Sequence, residues 1–359
     1  MTTAGTTEQI RDELARRTLE LCAMPSETCS EEKIADHVEA LCRTLAGAAS
    51  TVRIGNSIVC TPEYSHAEQK PVIALVGHLD TVKCAEEQPT EIRDGRVYGC
   101  GSSDMKAGVG VMLALLARWQ TIAPLYRPIW IFYDREEGPH EENGLEPVLT
   151  SNILPKIDLA LVLEPTDKSL QMGCMGTIHA TLTVAGKRAH SARPWQGENA
   201  LYKAAALLEK FSGLTRREVC FGALTFYEVM VVTRAWTSNS ANVNVRFAPG
   251  RSPQEAADEL RAFVGDAAEV EIRDAAPSGA VYLDHPLLDP WRVRQKLTIA
   301  PKQAWTDVAR FTDRGIPAVN FGPGETAQAH QAGEWCSIDS LEFAYTHLLD
   351  FFGASASAS

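Results

Sequence analysis

The chain has 359 residues, with 45% apolar and 22% charged side chains, the balance of a soluble globular protein long enough for two domains. Its 46 acidic and 34 basic residues leave a net charge of −12, a surface that repels phosphate backbones and argues against a nucleic-acid partner. No apolar run approaches the roughly 20 residues that span a bilayer. The N-terminus MTTAGTTEQIRDELARR also lacks the basic-then-apolar pattern of a signal peptide, so a cytoplasmic protein with no membrane partner is expected.

Thr6-Thr7-Glu8-Gln9 has the form of a capping box opening a helix with Ile10, Leu14 and Leu21 on one face, closed by Pro25. A second helix is predicted from about Ser30, with Ile34, Val38, Leu41 and Leu45 at helical spacing. The apolar runs Val72–Val76, Ile129–Tyr133 and Leu159–Leu163 then read as buried parallel strands, the first two separated by a helix over about 106–119. Strands alternating with helices predict an α/β sheet.

After Gly176 the rhythm changes. Residues 178–185 alternate as a half-exposed strand does, 199–211 reads as a helix, and strands follow near 229–233 and 242–247. A helix over 252–264 and a strand near 268–273 complete a β-α-β-β-α-β order, which predicts an inserted ferredoxin-like α+β domain. The α/β pattern resumes near Asp284 and ends in a helix over 338–352, and the tail GASASAS is too small and polar to pack. The expected organisation is a mostly parallel-sheet domain of residues 1–177 and 284–359, interrupted by a second domain at 178–283. The nine cysteines are odd in number, scattered and without a C-x-x-C pair, so neither a thiolate zinc site nor a disulfide framework is expected.

Four segments carry chemistry: Gly77-His78-Leu79-Asp80, Ser103-Asp104-Met105-Lys106, Glu136-Glu137-Gly138 and Glu164-Pro165-Thr166. Three of them lie at the carboxyl end of a predicted parallel strand, where open α/β sheets place their ligand sites. Burying several carboxylates together is very unfavourable without cations, and a pair of divalent metals is the simplest neutraliser. Imidazole and carboxylate donors without thiolate suit zinc, with cobalt or manganese as substitutes. In His78-x-Asp80, strand alternation points both side chains the same way, so Asp80 can orient His78. Of Glu136 and Glu137, one would ligate a metal and the other take a proton from water. Each signal is modest by itself. A His at a strand end is more often structural, Glu136 and Glu137 would pass for a solvated acidic loop, and His330 for a surface residue.

Their joint order is specific. With VGHLDTV (76–82), YGCGSSDMKAGV (98–109), FYDREE (132–137), LVLEPTD (161–167), GKRAHSARPW (186–195), VRFAPGRS (245–252), WTDVARF (305–311) and GIPAVNFGPG (315–324) before His330, the chain resembles the dinuclear zinc aminoacylase and carboxypeptidase family. Within it the likeness is to the desuccinylases of high-GC Gram-positive bacteria, from about residue 15 to 350.

The resemblance implies two zinc ions per subunit, one held by His78, Asp104 and Glu164 and the other by Asp104, Glu137 and His330. It implies Glu136 as general base, taking a proton from water so that a hydroxide held by the metals attacks the amide, and Asp80 as the orienter of His78. His190 would stabilise the oxyanion in a partner subunit's site, which implies a homodimer joined through a lid domain. Arg246 would bind a substrate carboxylate, Arg188 and Arg193 would add cationic lining, and Asn239 and Thr326 are further substrate-binding candidates. The implied reaction is release of succinate from N-succinyl-LL-diaminopimelate. Departures at Gly173-Cys174-Met175-Gly176, where an anion-binding arginine is common, and at Ala235-Trp236-Thr237-Ser238 keep open a related deacylase or dipeptidase. A non-catalytic metal-binding relative is a remote third reading. No G-x-S-x-G elbow marks a nucleophilic hydrolase.

Overall fold

The computed structural model describes residues 7–63, 70–85, 88–119, 125–237 and 239–353, with 235–237 described as backbone. The GASASAS tail beyond Gly353 and the first residue of the expected capping box, Thr6, lie outside them. The chain divides into two compact units: Met1–Met172, Tyr282–Ala300 and Arg314–Ser359 form the first, and Gly173–Val281 with Pro301–Asp313 the second.

The first unit opens with helices α1 (Thr7–Cys22) and α2 (Glu32–Ala46) and strands β1 (Thr51–Ile54), β2 (Ser57–Cys60) and β3 (Val72–His78). There follow β4 (Glu91–Arg93), β5 (Arg96–Tyr98), α3 (Lys106–Arg118), β6 (Arg127–Tyr133), α4 (Leu145–Thr150), β7 (Leu159–Pro165) and β8 (Leu170–Met172). The second unit supplies β9 (Gly176–Thr183), α5 (Ala200–Ser212), β10 (Arg217–Phe221), β11 (Leu224–Thr237), β12 (Ser240–Phe247), α6 (Pro253–Val264) and β13 (Glu269–Ala276). The chain continues through α7 (Asp289–Gln295), β14 (Ile299–Pro301), α8 (Val308–Asp313), β15 (Ala318–Gly322), β16 (Trp335–Ser337) and α9 (Ile338–Phe351).

The large sheet runs β1-β2-β6-β3-β7-β15-β8-β14. Its centre, β6-β3-β7-β15, is parallel, and β2 and β8 pair antiparallel at its flanks. Every residue of β3, β7 and β15 is buried, as expected of strands covered on both faces. Helix α3, KAGVGVMLALLAR, is buried over its first 11 residues, Lys106 to Leu116. Gly108 permits its approach, since a Cβ there would fall 2.4 Å from the Leu163 carbonyl oxygen. Because the central strands are parallel, their carboxyl ends share one edge, and His78, the Glu136-Glu137 turn and Glu164 are delivered to it.

The second unit has a sheet in the order β10-β11-β12-β9-β13. Without β10 this is the ferredoxin-like arrangement, and its core joins Ile178, Leu182, Val243, Val245 and Phe247 to Leu207 and Phe211 of α5 and Leu260 of α6. The edge strand β10 was not expected from the sequence. It forms a hairpin with the first part of β11, pairing Phe221 with Leu224, and β11 is 14 residues long where five were expected. Residues 301–313 fall in this unit, whereas the sequence reading assigns everything from 284 onward to the catalytic domain. They are held by backbone and side-chain contacts remote in sequence, such as Met175 N–H to Ala304 O (3.1 Å) and Trp305 Nε1 to Pro277 O (3.0 Å), which leave no pattern in the chain.

One expectation is corrected outright. Cys84 and Cys100 form a disulfide, with Cα atoms 5.8 Å apart. Sixteen residues separate them, and only the folding of the loops after β3 and β5 brings them together. Five of the other cysteines are buried, as small apolar residues usually are. Among the described residues no helix is long and apolar enough to cross a membrane.

Candidate metal centre

His78 ends β3 and is wholly buried. Its Nδ1 lies 3.0 Å from the Asp80 backbone carbonyl, which can only accept, so this nitrogen carries a hydrogen. Nε2 then faces two carboxylates, Asp104 Oδ1 at 3.3 Å and Glu164 Oε1 at 3.7 Å. A neutral imidazole would present a lone pair to both. Such an arrangement requires a positive centre between the three groups, either a proton or a metal ion.

A second imidazole stands on the other side of Asp104. His330 Nε2 is 3.5 Å from Asp104 Oδ2 and 2.8 Å from Glu137 Oε1. Asp104 therefore offers one oxygen to each imidazole, the disposition of a carboxylate shared between two cations. Ligand atoms of His78, Asp104 and Glu137 all lie within 4.8 Å of one another. The donors are oxygen and imidazole nitrogen, which fits zinc-like divalent ions.

Charge in the site follows from this crowding. Burial by itself would lower the His78 pKa, but hydrogen bonds to Asp104 and Asp80 and the charge of Glu136 raise it well above the ordinary value. His330 is raised to about 9, chiefly by its hydrogen bond to Glu137. Glu137 is itself pushed up, by burial first and by the neighbouring Asp104 charge. These shifts describe an anionic cluster that holds protons where cations would sit.

Asp80, fully buried, does more than face His78. Its Oδ1 is 3.4 Å from His78 Nδ1, farther than its own carbonyl. The same carboxylate accepts the backbone N–H groups of Glu136 (2.9 Å) and Glu137 (3.0 Å) and the Thr28 hydroxyl (2.9 Å). It thereby ties the imidazole to the turn that carries both glutamates. Arg135, at the head of this turn, has φ 58°, and His330, on the separate loop before β16, has φ 62°, left-handed conformations that non-glycine residues adopt at some expense. Glu136 is half-buried next to these groups.

The structure thus brings His78, Asp80, Asp104, Glu136, Glu137, Glu164 and His330 together within the first unit. Thr326 is also in this unit, with its hydroxyl donating to Asp167 Oδ2 (2.5 Å). The remaining candidates belong to the second unit. His190, Arg188 and Arg193 are exposed on the segment after β9, where His190 Nδ1 accepts the Ala192 N–H (3.1 Å). Arg246 is half-buried on β12, opposite Val229 of β11 and Thr177 of β9. Asn239 occupies the turn after β11, its carbonyl accepting the Val184 N–H (2.8 Å).

Two contributors, Thr28 and Glu334, had no usable sequence signal, and Lys106 was legible only as part of the Asp104 segment. Thr28 lies in an ordinary polar loop. Lys106 is buried, with its ammonium donating to the Met24 carbonyl (2.8 Å) and its pKa lowered by burial. Glu334 is 4% exposed and accepts three backbone N–H groups around Asp104. An acid before Trp335 reads as a solvated turn, and only the fold reveals its burial.

Residues 74–353 match the family described as Peptidase family M20/M25/M40. The chain is 34% identical over 358 residues to a putative succinyl-diaminopimelate desuccinylase of Mycobacterium tuberculosis, covering 96% of this chain and 99% of the relative. It is 33% identical over 346 residues to a succinyl-diaminopimelate desuccinylase of Corynebacterium glutamicum, covering 90% and 92% respectively. Among solved structures, a tripeptidase from Staphylococcus aureus superposes with a TM-score of 0.76 at 20% identity, covering 96% of this chain and 98% of that one.

Proposed function

The chain belongs to peptidase family M20/M25/M40 and is a metal-dependent amide hydrolase; on that premise we propose that it releases succinate from N-succinyl-LL-diaminopimelate. The observation that carries the substrate assignment is similarity to desuccinylases over nearly the full length of both chains. Supporting the chemistry is Asp104, with one oxygen toward His78 and the other toward His330.

His78, Asp104 and Glu164 would hold one zinc ion, and Asp104, Glu137 and His330 the second. When bound, the ions supply Lewis acidity toward the amide carbonyl and toward water. Glu136 takes the proton from the attacking water and returns it to the leaving amine, in keeping with its place beside Glu137 and its charge felt at His78. Asp80 holds the His78 ring and the backbone of both glutamates, so that the base and the ligands keep a fixed spacing. His190 would stabilise the oxyanion of a partner subunit's reaction, and Arg246, Arg188 and Arg193 would meet the substrate's carboxylates, with Asn239 and Thr326 completing the contacts.

A homodimer is part of the proposal, with the second unit as lid and dimerisation domain. It is supported by the stretch 229–237 of β11, which pairs with β12 on one side only among the described strands. Val229 and Val231 are exposed there beside an apolar hollow lined by Leu208, Phe211 and Leu214. An open apolar edge of this kind is a template for a second copy. Residence in the cytoplasm is proposed together with the desuccinylase reading.

A related deacylase or dipeptidase is the second reading, favoured by Cys174. This thiol stands where an anion-binding arginine is common, and it is buried with its Sγ donating to the Thr306 carbonyl (3.4 Å), offering no charge to a substrate. The test is amine release from succinyl-diaminopimelate, acetylornithine and simple dipeptides after chelation and restoration of zinc. Activity on the first alone supports the proposal, and activity on the others without it sinks the desuccinylase assignment.

A further inference from the structure

We infer that Glu334 is a positioning residue for the shared ligand Asp104, and that through Asp104 it sets the affinity of both cation sites. The inference rests on the metal-centre reading above. Glu334 is 4% exposed, and both oxygens of its carboxylate point into the loop that leads from β5 to α3. Oε2 accepts the Gly101 N–H (2.7 Å), and Oε1 accepts those of Ser103 (2.7 Å) and Asp104 (2.9 Å). Gly101, Ser103 and Asp104 lie between β5 and α3, outside the helices and strands of the described residues. The carboxylate takes the place of regular secondary structure for the loop and fixes the direction in which the Asp104 side chain leaves the backbone.

Glu334 is held in turn. Its carbonyl accepts the Gly99 N–H (3.1 Å) and Gln88 Nε2 (3.2 Å), while the Gly333 N–H donates to Gln88 Oε1 (2.7 Å). It lies four residues after His330, so one short segment supplies a ligand and also anchors the ligand opposite. Displacing Asp104 moves both of its oxygens, and so both cations should loosen together. Groups that orient metal ligands commonly contribute about 10–100-fold in affinity.

The experiment measures zinc stoichiometry and affinity of the full-length protein by competition with a chromogenic chelator, alongside circular dichroism of the metal-free form. Glu334→Ala removes all three acceptor contacts. Glu334→Gln keeps one carbonyl oxygen, able to serve Ser103 and Asp104, but sets an NH2 group against Gly101. The expected result is about 10–100-fold weaker binding at both sites for the alanine variant, a smaller loss for glutamine, and folded apo-protein throughout. Glu325→Gln, which alters a carboxylate bound to Ser337 and not to the Asp104 backbone, should change affinity little.

Unchanged zinc affinity in Glu334→Ala, or a loss confined to one cation, overturns the inference. If the wild-type protein itself takes up no divalent ion, the metal-centre reading fails and the inference with it. Should both Glu334 variants fail to fold, Glu334→Asp decides in the same way, since it keeps the charge and draws the carboxylate back by one methylene from the Gly101, Ser103 and Asp104 amides.

Discussion

Replacing Asp80 by alanine should damage the fold and the metal centre together. Its carboxylate is wholly buried and accepts from the Glu136 N–H, the Glu137 N–H and the Thr28 hydroxyl, with His78 Nδ1 at 3.4 Å. A buried donor left without its acceptor costs about 1–3 kcal/mol. The Thr28 hydroxyl has a second acceptor in the Thr81 carbonyl (3.4 Å), so the two backbone donors dominate. The expected loss for Asp80→Ala in the metal-free protein is therefore about 2–6 kcal/mol. Asp80→Asn retains one acceptor oxygen and should lose about half as much. Urea unfolding of chelated protein measures the change as a shift in midpoint at constant slope. The Glu136-Glu137 turn is the part released, so zinc affinity should also fall by about 10–100-fold. If Asp80→Ala unfolds within about 1 kcal/mol of the wild type and binds zinc normally, the three donors are not held as described.

Glu136→Ala should keep both metals and lose turnover by at least about 10²–10⁴-fold, read as kcat with the zinc content measured in parallel; retained activity would reassign the base. Mixing inactive Glu136→Ala and His190→Ala chains tests the shared site. If His190 serves its partner, half of the randomly formed dimers carry one intact site, and about a quarter of wild-type activity should return. No recovery after subunit exchange confines His190 to its own chain. Zinc binding should release protons. His330, raised to about 9, and His78, also raised, are protonated in the apo-protein at pH 7, so the metal must displace those protons. The apparent affinity should climb from pH 7 toward about 9 and the proton yield should fall, as recorded with an indicator in weak buffer. A pH-independent affinity would show that neither imidazole is a ligand.

Much of this protein is written locally. The unbroken apolar runs around Val72, Ile129 and Leu159 can be buried only as central parallel strands, and the polar residues that end them must then gather at one sheet edge. His78, Glu136, Glu137 and Glu164 were legible for that reason. His330 was not, for a loop residue has no periodicity, and its place came from resemblance before the structure set it 2.8 Å from Glu137. Edge strand β10 escaped notice because its burial pattern is weak, with most residues exposed.

What the tertiary structure alone decided are the contacts between segments far apart in the chain. Glu334 meets Ser103 across 231 residues, Asp80 reaches Glu136 across 56, and Cys84 finds Cys100 through two loops. Local sequence encodes which residues must be buried, because burial depends on each side chain's own polarity and spacing. It does not encode which buried carboxylate caps which backbone amide, since that pairing exists only once the sheet has set the loops side by side.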